Sequence, residues 1–144
     1  MSANKIGESS LFSMGGCIYQ GGEFADWDDI PNPRAVVSMV GSLFHMGLNL
    51  SIYINDTPKS CLPDNELLAL VDATCGFLKN GINVFIHCLQ GKSRSSYLNC
   101  AIHMKMMKMS YDSSLAFIKR YHPVAQPNTG FEAHLNRMKA EKLL

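Results

Sequence analysis

The sequence predicts an α/β fold in which a central, mostly parallel, twisted β-sheet of about five strands is flanked by helices. Short apolar runs typical of buried strands alternate with helical patterns through the first two-thirds of the chain, and helical patterns fill the last third. The 144 residues match the size of one domain, and a hydrophobic share of 47% is enough for one core. We therefore expect a single domain over residues 1–144, with residues 1–10 as a flexible arm.

The first strands are predicted from apolar runs that are bounded by turn residues. Residues 17–20 lie between two pairs of glycines, whereas the acidic residues and prolines of residues 25–33 indicate a loop. Residues 35–40 are apolar and partly β-branched, which favours a buried strand. Residues 48–54 predict the next strand, which ends at the strong turn sequence of residues 55–58.

Helical patterns begin after this turn. Apolar residues at helical spacing between 67 and 78 predict a helix, with Asp64 as its N-cap and residues 80–81, Asn-Gly, as its end. Residues 82–86 form the clearest buried strand of the sequence. The remaining helices are predicted over residues 95–108, 112–121 and 129–143.

Charge and cysteine content exclude several classes of protein. A net charge of +1 provides no field for general binding to nucleic acids or membrane surfaces, and no apolar run is long enough to span a bilayer. The five cysteines are odd in number and contain no C-x-x-C pair, so we expect reduced thiols and no metal site. The N-terminus lacks a signal-peptide pattern. These features predict a monomer in the cytoplasm, with the nucleus as a second compartment.

The segment from His87 to Ser95 carries the chemistry. A buried strand ends at Cys88, and a short loop then leads into a helix that begins near Arg94. Such a loop presents backbone N–H groups to one point and forms an anion cradle, for which Gly91 provides the necessary backbone freedom. The guanidinium of Arg94 can bind two oxygens of a tetrahedral anion, and together these charges favour the thiolate of Cys88. The layout predicts a nucleophile that faces a phosphate-shaped site.

This segment resembles the signature loop of the protein tyrosine phosphatase superfamily. The resemblance rests on the pattern His87-Cys88-x-x-Gly91-x-x-Arg94-Ser95. The ending Ser93-Arg94-Ser95 is similar to that of the dual-specificity branch, and the short chain resembles its small, atypical members. Asp56 lies where the family carries its general acid, and residues 127–131 resemble a late PN-x-GF segment.

The resemblance implies a cysteine-dependent protein phosphatase that acts on phosphotyrosine, phosphoserine and phosphothreonine without a metal or cofactor. Cys88 attacks phosphorus, Asp56 protonates the leaving group, and Ser95 donates a hydrogen bond to the departing thiolate. His87 and Asn128 brace the loop as supporting residues. The phosphate is bound by the loop residues Leu89, Gln90, Gly91, Lys92, Ser93 and Arg94. The implied partner is a phosphorylated protein.

Several alternatives stay open at this stage. Asp64 is a rival general acid, and Ser96 stands where the branch often has proline or alanine. Phosphoinositides or RNA 5′-phosphates are alternative substrates, and a non-catalytic phosphate-binding scaffold is the alternative outside catalysis. No segment that would deepen the pocket is visible, so we expect a shallow site. A second cysteine could form a disulfide with an oxidised Cys88, and the sequence does not indicate which.

Overall fold

The computed structural model describes residues 3–7, 15–22, 25, 28–41 and 47–144, and it confirms the α/β prediction. Its five-stranded sheet contains β1 (Asn4–Ile6), β2 (Ile18–Gly21), β3 (Arg34–Ser38), β4 (Leu48–Ser51) and β5 (Asn83–His87). The helices in these ranges are α1 (Asp64–Lys79), α2 (Arg94–Met107), α3 (Tyr111–Lys119) and α4 (Thr129–Ala140). The predicted strands and helices are therefore present, with ends that differ by a few residues.

The sheet is mostly parallel, as predicted. Its strand order is β1-β2-β5-β3-β4, and only β1 runs antiparallel to its neighbour. Strand β1 lies within the stretch predicted as a flexible arm, and no sequence pattern predicts it. Three residues are too few to show a period-two pattern, and the strand is fixed by pairing with β2 and by the burial of Ile6.

The two faces of the sheet pack against different groups. In β5, Val84 and Ile86 join the large core shared with the helices, whereas Phe85 points to the opposite face. There it packs in a smaller cluster with Ile30 and Val36. Because both faces are covered, β5 is almost completely buried, which explains its continuous apolar sequence.

Helix α1 follows the predicted apolar stripe, but its predicted N-cap is wrong. The residue that precedes the helix is Pro63, and no side chain caps it. Asp64 is instead the first helical residue, and its carboxylate pairs with Arg137 at 2.6 Å and with His134 at 2.7 Å. The carboxylate of Asp64 therefore bonds to two side chains of α4 and does not cap α1. Gly81 ends the segment with a φ of +75°, as expected from the Asn-Gly pair.

Helix α2 is the most deeply buried helix in the described ranges. Its first three turns pack against β5 and the other helices, so that even polar residues such as Ser95, Ser96 and Asn99 are inaccessible to solvent. Among all the described residues, no helix is long and apolar enough to cross a membrane.

Candidate active site

The candidate nucleophile lies where a central strand ends. Cys88 directly follows His87, the last residue of β5, which pairs with Gly21 of β2 on one side and Ser38 of β3 on the other. The carboxyl ends of parallel strands meet at this edge, where α/β folds commonly bind ligands. The sheet therefore fixes the start of the loop, and α2 fixes its end.

Cys88 forms the floor of a small cavity. Its side chain is only 2% exposed, and its Sγ lies 3.2 Å from Oγ of Ser95. The cavity has a volume of about 170 Å³ and is lined by Asp56, Cys88, Leu89, Gln90, Lys92, Ser93 and Arg94. The structure thus brings together the predicted nucleophile, the predicted acid and most of the predicted phosphate-binding loop.

Arg94 stands between the loop and the segment that carries the predicted acid. Its Nη1 donates to the carbonyl of Ile54 at 3.1 Å, which fixes the side chain beside the cavity. Its Nε is buried and has no hydrogen-bond partner in the described part of the chain. A buried guanidinium nitrogen of this kind needs an acceptor, and an anion in the cavity would supply one.

Gly91 is required by two separate features of the loop. Its φ of +70° lies in the left-handed region, which residues with a Cβ rarely adopt. A Cβ at this position would also lie 2.5 Å from the carbonyl carbon of Gly21 and 2.7 Å from the nitrogen of Gly22. The loop that follows Cys88 therefore packs directly against the end of β2.

The carbonyl of Gly91 is held by side chains outside the cavity. It accepts hydrogen bonds from Nε2 of His122 at 2.6 Å and from Nε2 of Gln20 at 3.2 Å. His122 is in turn fixed through Nδ1, which accepts from the side chain of Asn4 in β1 at 2.7 Å. Burial lowers the pKa of His122, which favours the neutral ring that this pair of contacts needs.

The next carbonyl, that of Lys92, is also taken up by donors outside the cavity. It accepts from the Ser96 hydroxyl at 2.7 Å and from the backbone N–H of Gln126 at 2.7 Å. Sequence reasoning missed this set of supporting donors, although it singled out Ser96 as a departure from the resemblance. No local pattern connects residues such as Gln20 and Lys92, which are distant in sequence.

Asp56 lines the same cavity as Cys88 and Arg94. Its Oδ1 accepts from Nδ2 of Asn128 at 2.9 Å, and the backbone N–H of Asn128 donates to Oγ of Ser93 at 2.9 Å. Asn128 also caps α4 by accepting from the N–H of Phe131 at 3.0 Å. One residue therefore connects the predicted acid, the loop and a helix N-terminus, and the supporting role of Asn128 stays a prediction.

The segment after Asp56 rests on α4 and α2. Gly130 in the first turn of α4 packs against the backbone of Pro58 so closely that a Cβ would overlap with it. The N–H of Leu62 donates to the hydroxyl of Tyr97 at 3.2 Å, and that hydroxyl contacts Nδ1 of His134 at 2.6 Å. Burial raises the pKa of the Tyr97 phenol, so this group stays neutral.

Two other residues predicted for the site, His87 and Asp64, do not line the cavity. His87 is completely buried and stacks on Phe85 with a centroid distance of 5.3 Å, and its Nδ1 is 3.4 Å from the carbonyl oxygen of Cys88. Its bracing role stays a prediction. Asp64, the rival acid, is not among the residues that line the cavity. Its carboxylate is occupied by α4, so its role is structural.

The other cysteines lie away from the cavity, and all five are free thiols. Burial raises the pKa of Cys100 to about 12, and it also raises the pKa of Cys61 and Cys75. These three are therefore poor nucleophiles at neutral pH. Among the described residues, no group of three His, Cys, Asp or Glu side chains is arranged to hold a metal ion.

Comparison with known families agrees with this geometry. Residues 47–141, about two-thirds of the chain, match the family described as dual specificity phosphatase, catalytic domain. The chain belongs to this family. The matched region of the dual specificity phosphatase domain includes Asp56, the whole loop from Cys88 to Arg94, and Asn128.

Individual relatives extend the comparison. Dual specificity phosphatase 28 from Mus musculus is 32% identical over 79 residues, which are 52% of this chain and 48% of the relative. The corresponding protein from Homo sapiens is 29% identical over 79 residues, which are 52% of this chain and 45% of the relative. The chain thus matches about half the length of these curated dual specificity phosphatases.

Solved structures show the same fold over nearly the whole chain. The crystal structure of DUSP15 superposes with a TM-score of 0.76 at 25% identity and covers 95% of this chain and 93% of its own. A human tyrosine phosphatase-like serine/threonine/tyrosine-interacting protein superposes with a TM-score of 0.79 and covers 99% of both chains. Its identity is 19%, so this likeness concerns the dual specificity phosphatase fold alone.

Proposed function

We propose that this domain is a cysteine-dependent protein phosphatase, which hydrolyses phosphotyrosine and phosphoserine or phosphothreonine through a cysteinyl-phosphate intermediate. The observation that carries the proposal is the 170 Å³ cavity itself, in which Cys88 forms the floor and Arg94 and Asp56 form walls. A nucleophile, an anion-binding group and a proton donor thus face one volume. The proposed enzyme is a monomer that needs no cofactor.

The first step transfers the phosphoryl group to the enzyme. The thiolate of Cys88 attacks phosphorus, so that a sulfur–phosphorus bond forms while the bond to the leaving oxygen breaks. Asp56 donates its proton to that oxygen as general acid. Arg94 and the backbone N–H groups of residues 89–94 bind the phosphoryl oxygens, where fixed donors stabilise the transition state.

The second step releases phosphate. A water molecule attacks the phosphorus of the intermediate, and its proton passes to the carboxylate of Asp56. The sulfur–phosphorus bond breaks, and its electron pair returns to Cys88 as a thiolate. Ser95 lies 3.2 Å from that sulfur and can donate a hydrogen bond to the charge that forms there.

The surroundings of the cavity support a protein substrate of either type. A cavity of about 170 Å³ accommodates a phosphate group without enclosing a long aromatic side chain. Beside it lies a second, more open cavity of about 410 Å³, which shares Asp56, Gln90, Lys92 and Ser93 with the first. A peptide chain that flanks the phosphorylated residue would fit this open groove.

The alternatives make different predictions for substrates. Lys92 and Arg94 are the basic residues of the small cavity wall. Phosphoinositides or RNA 5′-phosphates would therefore have to be preferred through contacts elsewhere. A panel of phosphopeptides, inositol lipids and RNA 5′-phosphates, compared by kcat/KM, distinguishes these classes. Binding of phosphopeptides without turnover would instead support the scaffold alternative.

The central test is hydrolysis of an aryl phosphate in the presence of a metal chelator. We expect wild-type protein to turn over, Cys88→Ser to be inactive, and Cys17→Ser to retain activity as the matched control, because Cys17 does not line the small cavity. Appreciable turnover by Cys88→Ser would exclude the proposed mechanism. Loss of all wild-type activity with the chelator would exclude the metal-independent route.

A further inference from the structure

A cluster of buried polar side chains lies behind the phosphate-binding loop. Gln20 of β2 and Ser95, Ser96 and Asn99 of α2 are all completely inaccessible to solvent. Buried polar groups are costly unless their hydrogen bonds are satisfied, and here each residue bonds to at least one other. Of these four residues, only Ser95 has a role that the sequence pattern predicts.

The hydrogen-bond directions in this cluster follow from its fixed acceptors. The carbonyl of Lys92 can only accept, so the hydroxyl of Ser96 donates to it at 2.7 Å. The oxygen of Ser96 must therefore accept from its other partner, the side chain of Gln20, at 2.7 Å. The group of Gln20 that faces Ser96 is consequently its NH₂.

One further contact fixes this orientation of the carboxamide, and a second is compatible with it. Nε2 of Gln20 also lies 3.2 Å from the carbonyl of Gly91, which again requires a donor. At the other end, Oε1 of Gln20 accepts from Nδ2 of Asn99 at 2.8 Å. A flipped carboxamide would place oxygen against the carbonyl of Gly91, so the cluster admits one orientation.

The orientation of Gln20 determines the role that Ser95 can play. Nε2 of Gln20 also lies 3.2 Å from Oγ of Ser95, and its two N–H bonds are shared among three acceptors, of which Oγ of Ser96 is the nearest. Since Nε2 cannot accept, the hydroxyl of Ser95 cannot donate to it and can only accept from it. The hydroxyl proton of Ser95 is then left for its other partner, Sγ of Cys88 at 3.2 Å. The hydrogen bonds therefore run in one direction, from Asn99 through Gln20 and Ser95 to the sulfur.

We infer that Gln20 is a positioning residue, which directs the hydroxyl of Ser95 toward Cys88 for breakdown of the cysteinyl-phosphate. This inference rests on the proposed function and concerns its second step. When water attacks phosphorus, the sulfur–phosphorus bond breaks, the electron pair stays on sulfur, and the water proton passes to Asp56. Ser95 keeps its proton but donates a hydrogen bond to the new thiolate, and Gln20 fixes the direction of that bond.

Gln20→Met tests the inference, because methionine has a similar shape but no carboxamide. We expect hydrolysis of the intermediate to slow about tenfold, which corresponds to about 1.4 kcal/mol in barrier height. In steady-state turnover of an aryl phosphate, kcat and KM should fall together while kcat/KM changes little. Intact-mass analysis of acid-quenched enzyme should show a larger fraction of cysteinyl-phosphate than in the wild type.

A double-mutant cycle with Ser95→Ala separates positioning from a general effect on the loop. If Gln20 acts through Ser95, Gln20→Met should have no further effect on intermediate hydrolysis in the Ser95→Ala background. An equal effect of Gln20→Met in both backgrounds would overturn the inference. An effect on kcat/KM without accumulation of the intermediate would also overturn it.

Two further variants control for loss of stability. Gln20→Met leaves the buried Nδ2 of Asn99 without its acceptor, whereas Gln20→Met/Asn99→Leu removes both polar partners and should recover stability. Accumulation of the intermediate should persist in this double variant, and its disappearance there would assign the effect to misfolding. Thr74→Val is the matched control, since it removes a buried hydrogen bond to Leu70 in α1 without touching the cavity.

The outcomes also separate this inference from the proposed function. If the wild-type protein forms no cysteinyl-phosphate and does not turn over aryl phosphates, the proposed function fails. If it does both and Gln20→Met behaves like Thr74→Val, only the role of Gln20 is refuted.

Discussion

The two walls of the candidate active site are built in different ways. On the nucleophile side, Cys88 and Ser95 are buried, and the loop carbonyls of Gly91 and Lys92 are held by donors from β2, α2 and the segment before α4. On the acid side, Asp56 and its neighbours from residue 55 to 59 are exposed. A single side-chain hydrogen bond, from Asn128, holds the carboxylate of Asp56 among the described residues.

This difference corresponds to the role proposed for each side. The loop has to hold several donors around one anion, and fixed donors stabilise a transition state without reorganisation. The acid has only to reach the leaving oxygen, whose position differs between an alkyl and an aryl phosphate. A rigid nucleophile side and a lightly held acid side therefore fit the proposed activity on both classes of phosphorylated residue.

Gly91→Ala would disrupt the rigid side most. The new Cβ would overlap the end of β2, and the positive φ would be strained, so that several loop amides would move at once. Since one misplaced oxyanion donor costs about 100- to 1000-fold, we expect kcat for an aryl phosphate to fall about 1000-fold.

Gly81→Ala is the matched control for this prediction. Gly81 also has a positive φ, at +75°, but a Cβ there would meet no atom within 4 Å. It should cost about 1 kcal/mol of unfolding free energy, measured by chemical denaturation, and leave kcat unchanged. Equal losses of activity in both variants would show that the loss comes from general destabilisation and not from the contact of the loop with β2.

Asp56→Asn tests the lightly held side and should have the next largest effect. The amide keeps the shape but cannot donate a proton as an acid, so the loss should depend on how much the leaving group needs one. We expect kcat/KM for phenyl phosphate to fall about 100-fold, and that for nitrophenyl phosphate to fall less. An equal loss for both substrates would show that Asp56 does not protonate the leaving group.

Asn128→Ser tests the link between the two sides. Serine can still cap α4, but it is too short to reach Asp56, so we expect about a fivefold loss of kcat with little change in stability. Ser110→Ala is the complementary control, because Ser110 caps α3 far from the cavity. It should lower the unfolding free energy by about 1 kcal/mol and leave kcat unchanged. Full activity in Asn128→Ser would show that Asp56 needs no support.

The same contrast explains which parts were predictable from the sequence. The loop from Cys88 to Arg94 is contiguous, and the strand before it and the helix after it have strong apolar patterns, so the fold and the candidate nucleophile could be predicted together. The support of Gly91 by Gln20 and His122 joins residues 71 and 31 positions apart, which no local pattern reveals. Asp64 was misassigned as a cap for the same reason, because its partners on α4 are distant in sequence.

The smallest expected effect concerns the pH dependence of stability on the two sides. Burial lowers the pKa of His122 behind the loop, so below about pH 6.5 the unfolded chain takes up a proton that the folded protein excludes. Stability on this side is therefore lost as pH falls through about 6.5. Hydrogen bonds from Arg137 and then His134 lower the pKa of Asp64, so its contribution is lost only as pH falls below about 4.

Denaturation curves from pH 7.5 to pH 3 of wild type, His122→Gln and Asp64→Asn separate the two contributions. His122→Gln should lose less stability than wild type between pH 7.5 and pH 5. A residual slope should remain, because burial also lowers the pKa of His103, to about 4. Asp64→Asn should show a constant deficit down to about pH 5 that shrinks below about pH 4. Parallel curves for all three proteins would mean that folding changes neither the pKa of His122 nor that of Asp64. The rigid loop would then owe its stability to packing and neutral hydrogen bonds alone.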